Sequence, residues 1–145
     1  MKNYKNLLLV LLISTTVGQR LERNEIITER HNNGLKKLVL IFEGTGINET
    51  LIGKYGFYDS GLKEFVEFYK NNKKHGKSLY WYENGNKQLE SSFRDGEKNG
   101  VWNTYGYNEQ ILKKGQYLND VRNGLWTSWY ENGQKKSEVT FKDGI

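Results

Sequence analysis

The chain has 145 residues, 36% of them hydrophobic and 14% aromatic, with no cysteine, no proline and a net charge of +5. The lack of cysteine excludes a disulfide framework, a thiolate metal site and a cysteine nucleophile. The hydrophobic fraction is low for a two-layer core, the wealth of aromatics argues against disorder, and Lys and Glu interspersed along the chain make a solvating surface instead of a nucleic-acid-binding stripe.

The amino terminus reads as an export leader. A start carrying Lys2 and Lys5 is followed by an apolar run from Leu7 to Ile13 and a small-residue stretch from Ser14 to Gly18. This is a signal-peptide pattern over residues 1–18, with cleavage expected after Gly18. The apolar run is far shorter than the roughly 20 residues of a spanning helix, so no transmembrane anchor is expected after cleavage. The mature chain is expected to be periplasmic, held in the cell envelope or secreted. Residues 19–28 match nothing that follows and read as an N-terminal cap or linker.

From residue 29 onward the chain repeats with a period of 24. Gly76, Gly100 and Gly124 fall on that grid, as do the turn tetrapeptides Tyr58-Asp59-Ser60-Gly61, Tyr82-Glu83-Asn84-Gly85 and Tyr130-Glu131-Asn132-Gly133. Phe57, Trp81, Tyr105 and Trp129 form one aromatic column, and Tyr69, Phe93, Tyr117 and Phe141 form another. Residues 29–52 are a degenerate first repeat whose insertion lies within Glu43–Ile52, and residues 53–145 hold four full hairpin repeats. Repeats of this length stack as supersecondary units. Asn-Gly or Ser-Gly between alternating aromatic and polar residues marks a hairpin in each. A second turn, from Phe93-Arg94-Asp95-Gly96 to Gly100 and its copies, reverses the chain into the next unit. The expected fold is all-β: an elongated single-layer antiparallel meander of about five tandem β-hairpin repeats.

Taking Asn84-Gly85 as a two-residue loop places Trp81 opposite Gln88 and Tyr82 opposite Lys87, and the period of two then sorts the faces. One face carries Tyr58, Tyr82, Tyr130, Trp102 and Trp126 with the Tyr69 column. The other carries Phe57, Trp81, Tyr105 and Trp129 among Gln88, Glu90, Lys114, Lys136 and Glu138. At Gly106-Tyr107-Asn108-Glu109 the final glycine is lost, which predicts a longer or altered loop in that unit.

Gly100-Val101-Trp102, the run from Gly124-Leu125-Trp126 through Tyr130-Glu131-Asn132-Gly133-Gln134-Lys135, and Phe141-Lys142-Asp143-Gly144 resemble MORN-repeat-variant units, well over residues 53–145 and loosely over 29–52. The resemblance implies a twisted one-layer sheet used for protein association or scaffolding, sometimes near membranes. Many bacterial relatives carry a label as antitoxins of toxin–antitoxin pairs, a role that an export leader opposes. No catalytic residue comes with it.

The residues agree. His31 and His75 read as exposed turn residues, since a catalytic histidine needs a positioned partner. Asp95-Gly96-Glu97-Lys98-Asn99-Gly100 imitates the start of a calcium loop, but Gly106 stands where a bidentate Glu is required. Neither a metal site, a cofactor nor an enzyme activity is expected. Phe57, Trp81, Tyr105 and Trp129 are the candidate binding stripe, with Tyr82, Trp102, Trp126 and Tyr130 on the second face. Flat aromatics among polar neighbours suit a protein partner or a glycan. The last strand, ending near Ile145, is expected to expose an edge open to self-association.

Overall fold

The structure is a computed structural model that describes residues 23–44 and 46–145. The leader expected over residues 1–18 lies outside the described residues. Ten strands follow one another: β1 (Arg23–Arg30), β2 (Lys36–Glu43), β3 (Thr50–Phe57), β4 (Lys63–Lys70), β5 (Lys73–Trp81), β6 (Lys87–Arg94), β7 (Glu97–Tyr105), β8 (Ile111–Leu118), β9 (Val121–Trp129) and β10 (Lys135–Phe141). Each pairs antiparallel with its neighbours in sequence, so one open sheet runs from β1 to β10 without a crossover. The expected all-β meander is the observed fold. β1 starts at Arg23, inside the stretch read as a cap or linker, because Ile26 opposite Leu40 and Ile27 opposite Val39 give it apolar partners on both faces. Between β2 and β3 a short 3₁₀ turn, Gly46–Asn48, occupies the inserted segment.

Among the described residues this single layer has no second surface to bury against. Among the described residues the buried apolar side chains are Val39, Val66 and Trp126. Stability therefore comes from ladder hydrogen bonds and from side chains packed against neighbours on the same face.

The loops differ from the sequence expectation. The Tyr82 amide donates to the Asn86 carbonyl at 2.8 Å and the Gly85 amide to the Tyr82 carbonyl at 2.9 Å, so the loop is three residues long, Glu83 to Gly85. Gly85, at φ +86°, takes the left-handed position that closes such a loop with a bulge. Trp81 consequently faces Lys87, not Gln88, and Tyr82 faces Asn86, not Lys87. The two-residue loops lie at the opposite edge of the sheet, at Asn71-Asn72, Asp95-Gly96 and Asn119-Asp120. Both residues of each have positive φ, as a type I′ turn requires.

The unit that lacks the turn glycine needs no altered loop. The Gly106 amide donates to the Gln110 carbonyl at 2.8 Å and the Glu109 amide to the Gly106 carbonyl at 2.9 Å, the same pattern as its neighbours. Glu109 is held at φ +64°, where Gly85 and Gly133 stand in the adjacent tips. A left-handed conformation costs a residue with a Cβ roughly 1–2 kcal/mol. Glu109→Gly is accordingly expected to stabilise the fold by about 1 kcal/mol, less what glycine's freer unfolded chain returns. Urea unfolding of the two proteins checks this, and an unchanged or lowered midpoint would show that the tip carries no such strain.

Candidate interaction surface

Strand pairing sorts the side chains onto two faces, because residues directly opposite each other share a face. Phe57, Trp81, Tyr105 and Trp129 lie on one face and are all half-buried. They stand two strands apart, about 9–10 Å at 4.7–4.9 Å per strand, so the rings pack against polar neighbours and not against each other. Tyr105 is covered by Lys87, whose Nζ is 5.4 Å from the ring centroid, and its hydroxyl donates to Glu90 at 3.4 Å. Lys87 stands on this face, opposite Trp81 in place of the expected Gln88, because the loop is one residue longer. Glu90 also pairs with Lys77 at 3.1 Å and Lys87 at 3.8 Å. Burial works against its charged form, but these lysines prevail and hold its carboxyl below the ordinary carboxylate value. The same face exposes Phe68, Val101, Ile111 and Leu125, between 36% and 55% accessible. At the β1–β4 end it opens into a cleft of ≈ 290 Å³ lined by Ile41, Gly53, Tyr55 and Phe68 and by the Arg23–Glu43 ion pair.

The second face is built differently. Phe93, Trp102, Tyr117, Trp126 and Phe141, one from each of β6 to β10, form a continuous ladder with ring centroids 6.0, 5.3, 5.0 and 6.5 Å apart. All four contacts are edge-to-face, the arrangement that ring quadrupoles favour. Phe93, Tyr117 and Phe141 of the second sequence column thus interdigitate with Trp102 and Trp126. Each tryptophan sits over a small residue of the preceding strand: Trp102 opposite Ser91, which is 0% exposed, and Trp126 over Gly115. The clue in the sequence is a Ser or Gly eleven residues before each tryptophan, a signal that column matching alone overlooks.

Tyr82 and Tyr130 do not join Trp102 and Trp126. The three-residue loop turns the chain immediately after Trp81, so Tyr82 belongs to the hairpin tip, and Tyr58 and Tyr130 occupy the same position. There the Tyr58 hydroxyl donates to the Trp81 carbonyl at 2.6 Å and the Tyr82 hydroxyl to the Tyr105 carbonyl at 2.9 Å, tying each tip to the next repeat. Tyr82 and Tyr107 also pack at 5.2 Å. His31 makes the equivalent link, with Nε2 donating to the Phe57 carbonyl at 2.7 Å and Nδ1 2.5 Å from the Asp59 carboxylate. Its side chain is 13% exposed, so His31 is a largely covered bridge and not the expected exposed turn residue. Tyr130 is half-exposed, with the Lys136 ammonium 5.3 Å from its ring.

One buried charge interrupts the second face. Glu67 accepts hydrogen bonds from Lys74 at 2.6 Å, Tyr69 at 2.7 Å and Tyr80. Burial opposes its ionisation, yet the three donors outweigh it and its pKa falls below the usual value. Burial and the neighbouring carboxylate push Tyr69 up to about 12 and raise Tyr80 as well. At the corresponding position the next three repeats carry Ser91, Gly115 and Val139. Every polar atom of Glu67 is thus occupied within the cluster, which leaves it a structural site. Among the described residues, no cluster of three or more His, Asp or Glu side chains could hold a metal ion.

The family model described as MORN repeat variant matches the chain twice, at residues 74–95 and 122–143. Each match covers a hairpin, β5–β6 or β9–β10, save the first residue of its first strand, and the two are offset by two periods. A search of curated proteins finds no match.

Proposed function

We propose that this chain, which is built of MORN-repeat-variant units, is an exported scaffold whose Phe57, Trp81, Tyr105 and Trp129 face docks a partner protein. The observation that carries the reading is the exposure of Phe68, Val101, Ile111 and Leu125 among half-buried aromatics on a face that no other described residue covers. Large flat aromatics dominate the energetics of protein interfaces, and exposed apolar side chains beside them add surface that a partner can bury. A scaffold also accounts for the sequence features without an enzyme: the repeats supply length and surface in place of an enclosed pocket. The basic, apolar and small-residue order of the leader supports export.

The test is photo-crosslinking in cells from a probe placed at Trp129, compared with the same probe at Trp102, together with fractionation and amino-terminal sequencing. A discrete adduct from position 129 that position 102 does not give, on a chain beginning near Gln19 outside the cytoplasm, is the expected result. No adduct from position 129, or the same adduct from both positions, would sink the docking face, and an intact Met1 in the cytosol would sink export and turn the search to a co-purifying toxin. A glycan is the second reading, favoured by the alternation of aromatic and polar side chains. Cell-wall pulldown lost in folded Trp81→Ala and Trp129→Ala proteins would support it. Pairing of two copies along an edge strand, β1 or β10, is read from dilution of the purified chain.

A further inference from the structure

The ladder face sorts charge in a way that neither the composition nor the docking reading uses. Lys98 lies between two rungs, its Nζ 5.1 Å from the Trp102 centroid and 5.0 Å from that of Tyr117. Arg122 repeats the arrangement one period later, 5.0 Å from Trp126 and 5.3 Å from Phe141. Among the described residues no carboxylate is within ion-pair distance of either cation. Lys74 occupies the preceding place on the same line, 5.2 Å from Phe93, but is neutralised by Glu67. The acidic residues Glu90 and Glu138 pair with lysines on the opposite face. The interspersed charges of the sequence therefore become a row of cations on one face, seated on aromatic rings, and Asp120 accepts the Lys98 backbone amide at 2.9 Å without pairing its ammonium.

Row spacing selects the ligand. Lys74, Lys98 and Arg122 stand on β5, β7 and β9, so successive cations are about 9–10 Å apart at 4.7–4.9 Å per strand. Nucleic-acid phosphates, at about 3.4 Å per strand, are far denser than this row. A polyproline II helix rises about 3.1 Å per residue with three residues per turn, which presents every third side chain on one side at about 9.3 Å. Such helices dock on aromatic-lined surfaces.

We propose that the Lys98–Arg122 ladder binds an extended acidic segment in the polyproline II conformation, with carboxylates at every third residue. Glu67 sets where the row begins by occupying Lys74.

A fluorescent peptide of four Glu-Pro-Pro triplets, titrated at low salt and followed by anisotropy, tests it. Binding is expected, weakened about tenfold or more in the Lys98→Gln/Arg122→Gln double variant and unchanged in Lys114→Gln on the other face. A peptide of equal charge built from Glu-Pro pairs is expected to bind several-fold more weakly, because its spacing misses the row. Glu67→Gln, with folding checked by circular dichroism, is expected to tighten binding by freeing Lys74. Absence of binding, indifference to the double variant, or equal binding of both peptides overturns the proposal. So does tighter Lys98- and Arg122-dependent binding to anionic vesicles or single-stranded DNA. None of these outcomes bears on the partner-docking reading, which uses the opposite face.

Discussion

Gly115→Val is expected to lower the unfolding free energy by roughly 3 kcal/mol, the upper part of the range for overpacking a filled site. A Cβ at Gly115 would stand 2.2 Å from Cδ2 and 2.3 Å from Cε2 of Trp126, so the ring must leave its place. It is held there by Tyr117 at 5.0 Å, by Phe141 at 6.5 Å and by its own Nε1, which donates to the Gln116 carbonyl at 3.0 Å. In a one-layer sheet the displaced ring has only solvent to enter, and Trp126 is one of the few buried apolar side chains the sheet has. Red-shifted tryptophan emission and a lower urea midpoint are the expected readouts, with hydrogen-exchange protection lost first in β8–β10, since repeats unfold by neighbours. The same substitution in a Trp126→Leu background is expected to cost markedly less, because the two positions share one contact. Strictly additive costs would show that the ring and the glycine do not meet.

Removing the Glu67 side chain is expected to cost about 2–3 kcal/mol, through its partners more than through itself. Glu67→Ala leaves Lys74, whose side chain is 32% exposed, without its counter-charge and takes the acceptor from the Tyr69 and Tyr80 hydroxyls. Partial solvent access to Lys74 keeps the figure below that of a fully buried pair. The pH dependence follows from the direction of each shift. Glu67 has a folded pKa below its usual 4.5, so its contribution is complete above that value and is lost as pH falls through the lower folded one. Tyr69 has a folded pKa raised from 10.0 to about 12, so its contribution is complete below pH 10 and is lost as pH rises through 12. Glu67→Gln is expected to flatten the acid limb and to shrink the Tyr69 limb, bringing its upper end down from pH 12 towards 10, since burial then acts without the carboxylate. Urea midpoints measured against pH check both limbs, and an acid limb identical in Glu67→Gln would assign the acid sensitivity to other carboxylates.

The period of 24, the hairpin in each unit, the strand alternation and the membership of Trp102, Trp126, Phe93, Tyr117 and Phe141 in one face were legible because each is a local property. Turn glycines need positive φ wherever they stand, and side chains alternate along any strand. The length of the Tyr82–Asn86 loop was not legible, since Asn-Gly serves both a two-residue turn and the closing bulge of a three-residue one. That one residue reassigned the partner of Trp81 and moved Tyr82 from a face to a tip. Glu109 shows the converse: the tertiary ladder imposed a left-handed conformation that its side chain disfavours.

Periodicity and turn chemistry act within a few residues, and they already make the chain a meander of repeats with an aromatic on every unit. Tertiary contacts alone placed Trp102 and Trp126 between the rings of Phe93, Tyr117 and Phe141, over Ser91 and Gly115, closed Lys74 and two tyrosines around Glu67, and set Lys98 and Arg122 in a row on those rings. Those outcomes depend on which residues of different strands lie opposite one another, and that register is set by loop length and by bulges at Gly76, Gly100 and Gly124.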